Sequence, residues 1–458
     1  MYQKPKSFFI QTYGCQHNVL DSELMTGSLV KYGLKKSKTL EEADLVLFNT
    51  CSVRHTAENK AIGKLVSLAK TKRKGTILGV SGCVANHRKD HLLDSLPHVD
   101  FIMGTNNLHA ILDIIEELIS TGKRIIRVDD VFEHDLDYRL AERADNVSAF
   151  VSIIRGCNKY CTYCIVPYTK GPEVSRKYNN ILDECIDLAN RGYKEITLLG
   201  ENVNGYGKDR DDGILFHHLL EKLHEIPGIE RIRFMTSHPI DISDELIESI
   251  GALPKVCEFV HFCLQSGSNR ILKKMNRMYT RESYQEKVKK IQTTLKKKHE
   301  LLRQTIHPDL FPDWGIGSDF IVGFPTETEE EFLQTKTAVK EDNFTTAFFF
   351  MYSPRKGTPS TRFMDNVTKE EKLNRLQQLL DLHEQISLEQ RKKAIGKVVE
   401  VLVEGPSFKE ENFVKGRTRG WWRAILPGTT NLIGTIQTIR VLDVKHLTLI
   451  GEPVTPSC

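Results

Sequence analysis

The chain has 458 residues, 40% hydrophobic and 27% charged, with 64 Lys+Arg set against 60 Asp+Glu. That is about three times a typical domain of roughly 150 residues, so two or three domains with real cores are expected and disorder is excluded as the default. No run approaches the ~18 apolar residues that cross a bilayer, so no membrane partner is expected, and a net charge of +4 permits a local nucleic-acid surface without requiring one.

The opening MYQKPKSFFIQTYG has a basic start, but its apolar run is broken by Gln11, Thr12 and Tyr13, so a cytoplasmic protein is expected. From there to about residue 145, short apolar runs alternate with amphipathic stretches: SFFIQTYG, ELMTGSLVKYGL, DLVLFNTCSV, ENKAIGKLVSLAK, TILGVSGCV and ILDIIEELIS. This βα repeat predicts a doubly wound, mostly parallel sheet. Three of its runs end in cysteine, at Cys15, Cys51 and Cys83, and strand C-termini line the ligand-binding edge of such sheets.

A polar stretch, EHDLDYRLAERADN, places a boundary near residue 147, giving a first unit of 1–146. From 147 to 386 the βα alternation resumes through VSAFVSIIRG, EITLLGENVNGYG, RIRFMTSHP, EFVHFCLQSGS, GSDFIVGFP and AFFFMYSP, which predicts a full or partial (β/α) barrel. Residues 296–314 within it read as a helix extended by a basic, Pro-containing loop of no evident role. KEEKLNRLQQLLDLHEQISLEQRKKAIG reads as a long connecting helix, and short β runs after Gly396 predict a small β-barrel closing the unit 387–454.

Ten cysteines in a large chain expected in the reducing cytosol point to metal ligation or catalysis, not disulfides. Cys157, Cys161 and Cys164 form CNKYCTYC, a CxxxCxxC spacing with three thiols where four would close a zinc or iron–sulfur site. An iron left open in this way can be chelated by a substrate and can pass it an electron. A zinc loop borrowing a ligand such as His238 is the alternative. Cys185, Cys257 and Cys263 lie in helical or strand-like runs and read as buried thiols, and Cys458 as a terminal one.

CNKYCTYC with Tyr163 before its last cysteine resembles the radical S-adenosylmethionine (SAM) signature. TYGCQHNVLDSE, FNTCSVRHTAENK, SGCVANHR and IRGCNKYCTYCIVPYTKGPEVSR resemble the radical SAM methylthiotransferases over nearly the whole chain. The resemblance implies two 4Fe-4S clusters, one on Cys157, Cys161 and Cys164 that cleaves SAM, and an auxiliary one on Cys15, Cys51 and Cys83 that carries sulfur. It implies a methylthio group inserted at carbon 2 of an adenine, two SAM per turnover, and an electron donor such as flavodoxin or ferredoxin. YGCQHN favours the subfamily that acts on isopentenyl-adenine next to the anticodon of tRNA. Threonylcarbamoyl-adenine and a ribosomal-protein aspartate are the substrates of its relatives.

The same resemblance marks Glu201, Asn202, Arg233, Ser237, Gln265, Asp319 and Gly323, all at strand ends, as SAM contacts, with Thr326 capping the helix after VGFP. It likens the closing barrel to a TRAM module whose Lys415, Arg417, Arg419, Trp421 and Arg423 would hold the tRNA anticodon arm, one Trp of the Trp421–Trp422 pair filling its core. Arg270, Lys273, Lys274 and Arg277 read either as a solvated face or as phosphate contacts. A monomer is expected. Four residues depart from the family's usual strings: His17 stands for Met, Lys170 and Pro172 for the two Arg of Arg-Gly-Arg, and Glu201 for Gln. A non-catalytic iron–sulfur RNA-binding sensor is the competing reading, and SAM cleavage separates the two.

Overall fold

The computed structural model describes residues 2–52, 55–129, 136–407 and 411–454, so Cys458 lies outside the described residues. In the first unit, β1 (Ser7–Thr12), β2 (Lys35–Lys36), β3 (Leu45–Thr50), β4 (Ile77–Gly82), β5 (Phe101–Met103) and β6 (Ile125–Arg127) form one parallel sheet ordered β2-β1-β3-β4-β5-β6. Every position of β3 and β4 is buried, as in strands covered on both faces. The helices are α1 (Gln16–Lys31), α2 (His55–Leu68), α3 (Cys83–Ser95) and α4 (Ile111–Thr121). α1 and α4 cover one face, and α2 and α3 the other. Ile111, Ile114, Ile115 and Leu118 make one fully buried stripe of α4, and each contributes about 1.5–3 kcal/mol. Strand order turns back between β1 and β3, so the C-terminal ends of β1, β3 and β4 lie side by side there.

The part of the polar stretch that the structure describes, from residue 136 on, is packed. Tyr138 is buried under the Arg176 guanidinium, and Arg143 is ion-paired with Glu23 and Glu184. Beyond it come β7 (Ser148–Ser152), a short antiparallel pair β8 (Ile154–Arg155) and β9 (Val174–Ser175), then β10 (Glu195–Leu199), β11 (Arg231–Phe234), β12 (Phe259–His261), β13 (Gly315–Val322) and β14 (Thr346–Met351). β7 and β10 to β14 run parallel in the order β7-β10-β11-β12-β13-β14. β11 meets β12 through bridges at Ile232–Val256 and Ser237–Phe262. Among the described residues no strand pairs β14 with β7, so the (β/α) barrel is partial.

The first unit lies across that gap. α1 packs on β7, Glu58 pairs with Arg355 at 2.7 Å just beyond β14, and His87 Nε2 bonds the Lys356 carbonyl at 3.1 Å. Helices α5 (Val166–Thr169), α6 (Tyr178–Asn190), α7 (Phe216–His224), α8 (Asp244–Ala252), α9 (Asn269–Lys274), α10 (Arg281–Thr305), α11 (Glu329–Glu341) and α12 (Lys369–Lys392) complete the barrel and lead out of it. Thr328, not Thr326, caps α11, in a capping box with Glu331. Thr326 instead occupies the turn before it at φ +72°.

β15 (Val398–Pro406), β16 (Phe413–Thr418), β17 (Arg423–Pro427), β18 (Ile436–Lys445) and β19 (Thr448–Pro453) close into a five-stranded barrel around Trp422. The segment 296–314, opaque in sequence, brackets this small barrel to the large one. Lys298 is buried against Glu258 and the carbonyls of Ile250, Leu253 and Val256. The Phe311 N–H donates to the Val398 carbonyl at 2.7 Å, and its ring packs on Trp422.

Candidate functional site

Cys15 follows β1, Cys51 follows β3 and Cys83 opens α3 directly after β4, so three adjacent strand ends deliver three thiols. Cys51 is hydrogen-bonded to both Cys15 and Cys83. Gly14 makes this approach possible, because a Cβ there would meet the Cys51 Cβ at 2.5 Å and its φ is +139°. The Asn18 side chain accepts from the Cys15 N–H at 3.2 Å and from its thiol at 3.4 Å. The bond to Cys51 and burial push the Cys15 thiol well up, whereas the bond from Cys51 pulls Cys83 down. The Lys170 ammonium favours the thiolate at both.

The second triplet lies in the loop between β8 and α5. Burial, with neighbouring sulfurs, raises Cys157 and takes Cys164 up to about 12. Arg277 is buried and donates from Nη1 to the Cys161 Sγ at 3.3 Å and from Nη2 to the Cys263 carbonyl at 2.9 Å. Arg277, expected on a solvated or phosphate-binding face, therefore belongs to the thiol loop. Of its basic neighbours, Arg270 is ion-paired with Glu331 and Lys274 donates to Thr326 Oγ1 at 2.6 Å.

A buried polar bridge joins the two triplets. Glu201 receives Lys170 on Oε1 and the Gly156 N–H on Oε2 at 3.0 Å, and His17 Nε2 lies 3.5 Å from Oε1. Burial opposes ionisation of Glu201, but His17, Lys170 and Arg155 outweigh it and hold the carboxyl at about 2. Burial pushes His17 itself down to about 4, so at neutral pH the ring is uncharged and Lys170 is the cation that matters. Of the four residues that depart from the family strings, His17 and Lys170 thus both meet Glu201. Glu201, expected to take the SAM ammonium, has both oxygens engaged by the protein.

The donor chemistry of both triplets, three thiols without a fourth protein ligand among the described residues, fits iron–sulfur ligation. Ligands of one tetrahedral ion with 2.3 Å bonds lie about 3.8 Å apart. Among the described residues neither thiol triplet gathers within 4.8 Å; only His261, Cys263 and Asp319 do. Three thiols in each set, with a buried cation beside them, suit thiolates on three corners of a cluster.

Other expected contacts are placed differently. Arg233 is not at the SAM edge. It is buried at the foot of the barrel, ion-paired with Glu195 at 2.7 Å and donating to the carbonyls of Thr418 and Arg419. Asn202 is buried, donating to Glu173 and Asp241, and Ser237 is buried in its backbone bridge to Phe262. Gly323, at φ +66°, faces the stem of Lys372, whose Cγ a Cβ would meet at 2.2 Å. Gln265 ends its strand run at φ +73° with its N–H on the Asp319 carbonyl.

The turn between β16 and β17 is also corrected. Arg419 is buried, ion-paired with Glu258 at 2.6 Å, and Trp421 stacks on Phe259 with ring centroids 6.1 Å apart, beneath the guanidiniums of Arg233 and Arg417. These residues plug the N-terminal end of the large barrel and are not a free RNA surface. Arg417 is half-buried and paired with Glu404, Lys415 is half-buried, and Arg423 is exposed.

Between plug and thiol loop lies a feature that sequence missed. His261, Cys263 and Asp319 converge inside the barrel, with His261 Nε2 and Cys263 Sγ each 3.3 Å from Asp319 Oδ2. Burial lowers the imidazole pKa, but Cys263 and Asp319 outweigh it and raise it well above its ordinary value, so the ring carries a proton. Alternation along β12 and β13 was the only signal available, and it does not reveal which residues meet across strands.

Two family models match the chain: "Uncharacterized protein family UPF0004" over residues 7–104 and "Radical SAM superfamily" over 151–339. A tRNA-2-methylthio-N(6)-dimethylallyladenosine synthase of Protochlamydia amoebophila is 52% identical over 448 residues, 98% of this chain and 96% of that one. Proteins of the same name from Thermoanaerobacter pseudethanolicus and Clostridium novyi are each 43% identical over 451 residues, 98% of this chain and 92% and 96% of theirs. The fold is similar to the radical SAM methyltransferase TsrM of Kitasatospora setae, with TM-score 0.54 and 13% identity over 78% of this chain and 74% of that one.

Proposed function

The chain belongs to the tRNA-2-methylthio-N(6)-dimethylallyladenosine synthase family, and from that premise we propose how its residues divide the work. It is a radical SAM enzyme that places a methylthio group on carbon 2 of N6-dimethylallyladenosine in tRNA. In our reading the nucleoside is at position 37 and two SAM are consumed per product. Cys157, Cys161 and Cys164 hold one 4Fe-4S cluster, and Cys15, Cys51 and Cys83 hold the other. When bound, these clusters supply the electron for SAM cleavage and the sulfur to be transferred.

The observation that carries the reading is the confrontation of two thiol triplets across one buried bridge, Lys170 and Glu201, with the barrel lumen beside them. The chain's own residues then have definite tasks. Arg277 donates to a cluster sulfur and so favours the reduced cluster, Lys170 favours thiolate at Cys15 and Cys83, and the engaged carboxylate of Glu201 keeps that ammonium in place. Exposed Arg423 meets the anticodon arm in this reading. An electron donor such as flavodoxin or ferredoxin, a monomeric state and a cytoplasmic location complete the proposal.

The test is a competition. Given equal amounts of tRNA carrying N6-dimethylallyladenosine and tRNA carrying N6-threonylcarbamoyladenosine, the anaerobically reconstituted enzyme with SAM and dithionite is expected to methylthiolate only the first, as read by nucleoside mass spectrometry. Modification of the second alone would reject the substrate assignment.

A further inference from the structure

The inner face of β12, β13 and β14 carries two features that the bridge and the thiol loops do not use. One is the His261, Cys263 and Asp319 group. The other is Phe348 and Phe350 of the edge strand β14, which are 41% and 38% exposed. Register puts all of these on one face. Phe348 pairs with Asp319 and Phe350 with Ile321, while Phe349, between them, is buried on the opposite face against Phe320. The Phe348 ring lies 6.0 Å from the His261 ring.

Strand β14 borders the gap in the barrel, so this face is reachable from the side over which the first unit, with its three thiols, is laid. The lumen is closed below by Trp421 on Phe259 and bounded above by Arg277, which touches both Cys161 and the Cys263 carbonyl. A space with open aromatic rings on one wall, a carboxylate and a protonated imidazole beside them, and a thiol loop overhead suits a base extruded from its stack. Such bases are held by aromatic stacking and by hydrogen bonds to their edge.

We propose that this face is the subsite for the N6-dimethylallyl-adenine base, with Phe348 stacking on the ring, Phe350 covering the five-carbon chain, and Asp319 and His261 reading the N6–H and a ring nitrogen. The inference rests on the substrate stated above and reassigns Asp319 from SAM to the base. It also gives the site its specificity. A branched hydrocarbon meets Phe350 without penalty, whereas a threonylcarbamoyl group would bury a carboxylate against an aromatic wall.

The experiment measures the affinity of reconstituted holoenzyme for two anticodon stem-loops that differ only in carrying N6-dimethylallyladenosine or adenosine, by fluorescence anisotropy. Wild type is expected to prefer the first roughly tenfold or more, from burial of the alkyl carbons. Phe350→Ala is expected to erase that ratio. Phe350→Leu, which keeps apolar volume, should retain most of it, and both variants should match wild type in iron content and thermal midpoint. A ratio unchanged in Phe350→Ala, or absent in wild type, overturns the proposal. So would stoichiometric zinc in wild type that disappears in Cys263→Ser, since His261, Cys263 and Asp319 would then hold a cation. Methylthio product from the wild-type enzyme on the alkylated stem-loop, with the ratio unmoved by Phe350→Ala, would sink this subsite alone. Absence of any product would sink the functional reading beneath it.

Discussion

Replacing Cys157, Cys161 and Cys164 together by alanine is expected to reduce 5′-deoxyadenosine formation from SAM to background and to halve the iron of the reconstituted protein. The complementary replacement of Cys15, Cys51 and Cys83 should also halve the iron, yet leave SAM cleavage running while the methylthio product disappears. The asymmetry follows from placement. The first triplet sits on the barrel's own loop with Arg277 on its sulfur; the second hangs from another unit across the gap. Iron quantification beside chromatography of 5′-deoxyadenosine and nucleosides reads both arms. Full iron in either triple variant would remove that triplet from the account.

The second large effect concerns the bridge. Lys170→Met leaves Glu201 buried with only the Gly156 N–H and an uncharged His17 beside it, and stranding one member of a buried pair costs about 3–5 kcal/mol. That loss is expected in anaerobic denaturant unfolding near neutral pH. Adding Glu201→Gln to Lys170→Met should recover part of it, since the charge to be compensated is then gone. The pH dependence has a definite sign. Glu201 is held at about 2 in the folded chain against an ordinary 4.5, so its contribution is complete above about pH 4.5 and is lost as pH falls toward 2. The gap between wild type and Lys170→Met should therefore narrow in acid. Equal stability of the two proteins at pH 7 would contradict the bridge.

Much of the architecture was legible because each local signal agreed with the global fold. Apolar runs ending at Cys15, Cys51 and Cys83 were strand ends, and strand ends of a doubly wound sheet share an edge, so convergence followed from topology. CxxxCxxC marked a three-thiol loop by its spacing, and only the longer strings around it set the SAM reading apart from a zinc loop. What sequence did not yield depends on neighbours distant along the chain. Arg277 looked like one of four exposed bases, yet its turn after α9 folds back onto Cys161. Arg419 and Trp421 had the composition of an RNA surface, but Glu258 and Phe259 take them up into the floor of the large barrel. Cys263 was set aside as a buried thiol, and it is buried. Its significance lies in Asp319, one strand away. Thr326 and Thr328 are equally good caps by type, and only the turn geometry at Thr326 decides between them.

The central claim is that one chain spends SAM in two ways, as methyl donor and as radical source, on a single adenine. It is tested most directly with SAM deuterated in its methyl group and tRNA bearing N6-dimethylallyladenosine. The account predicts a methylthio nucleoside carrying the deuterated methyl, with S-adenosylhomocysteine and 5′-deoxyadenosine each formed in equal amount to it. A product without the label, or 5′-deoxyadenosine released with no S-adenosylhomocysteine, would contradict it.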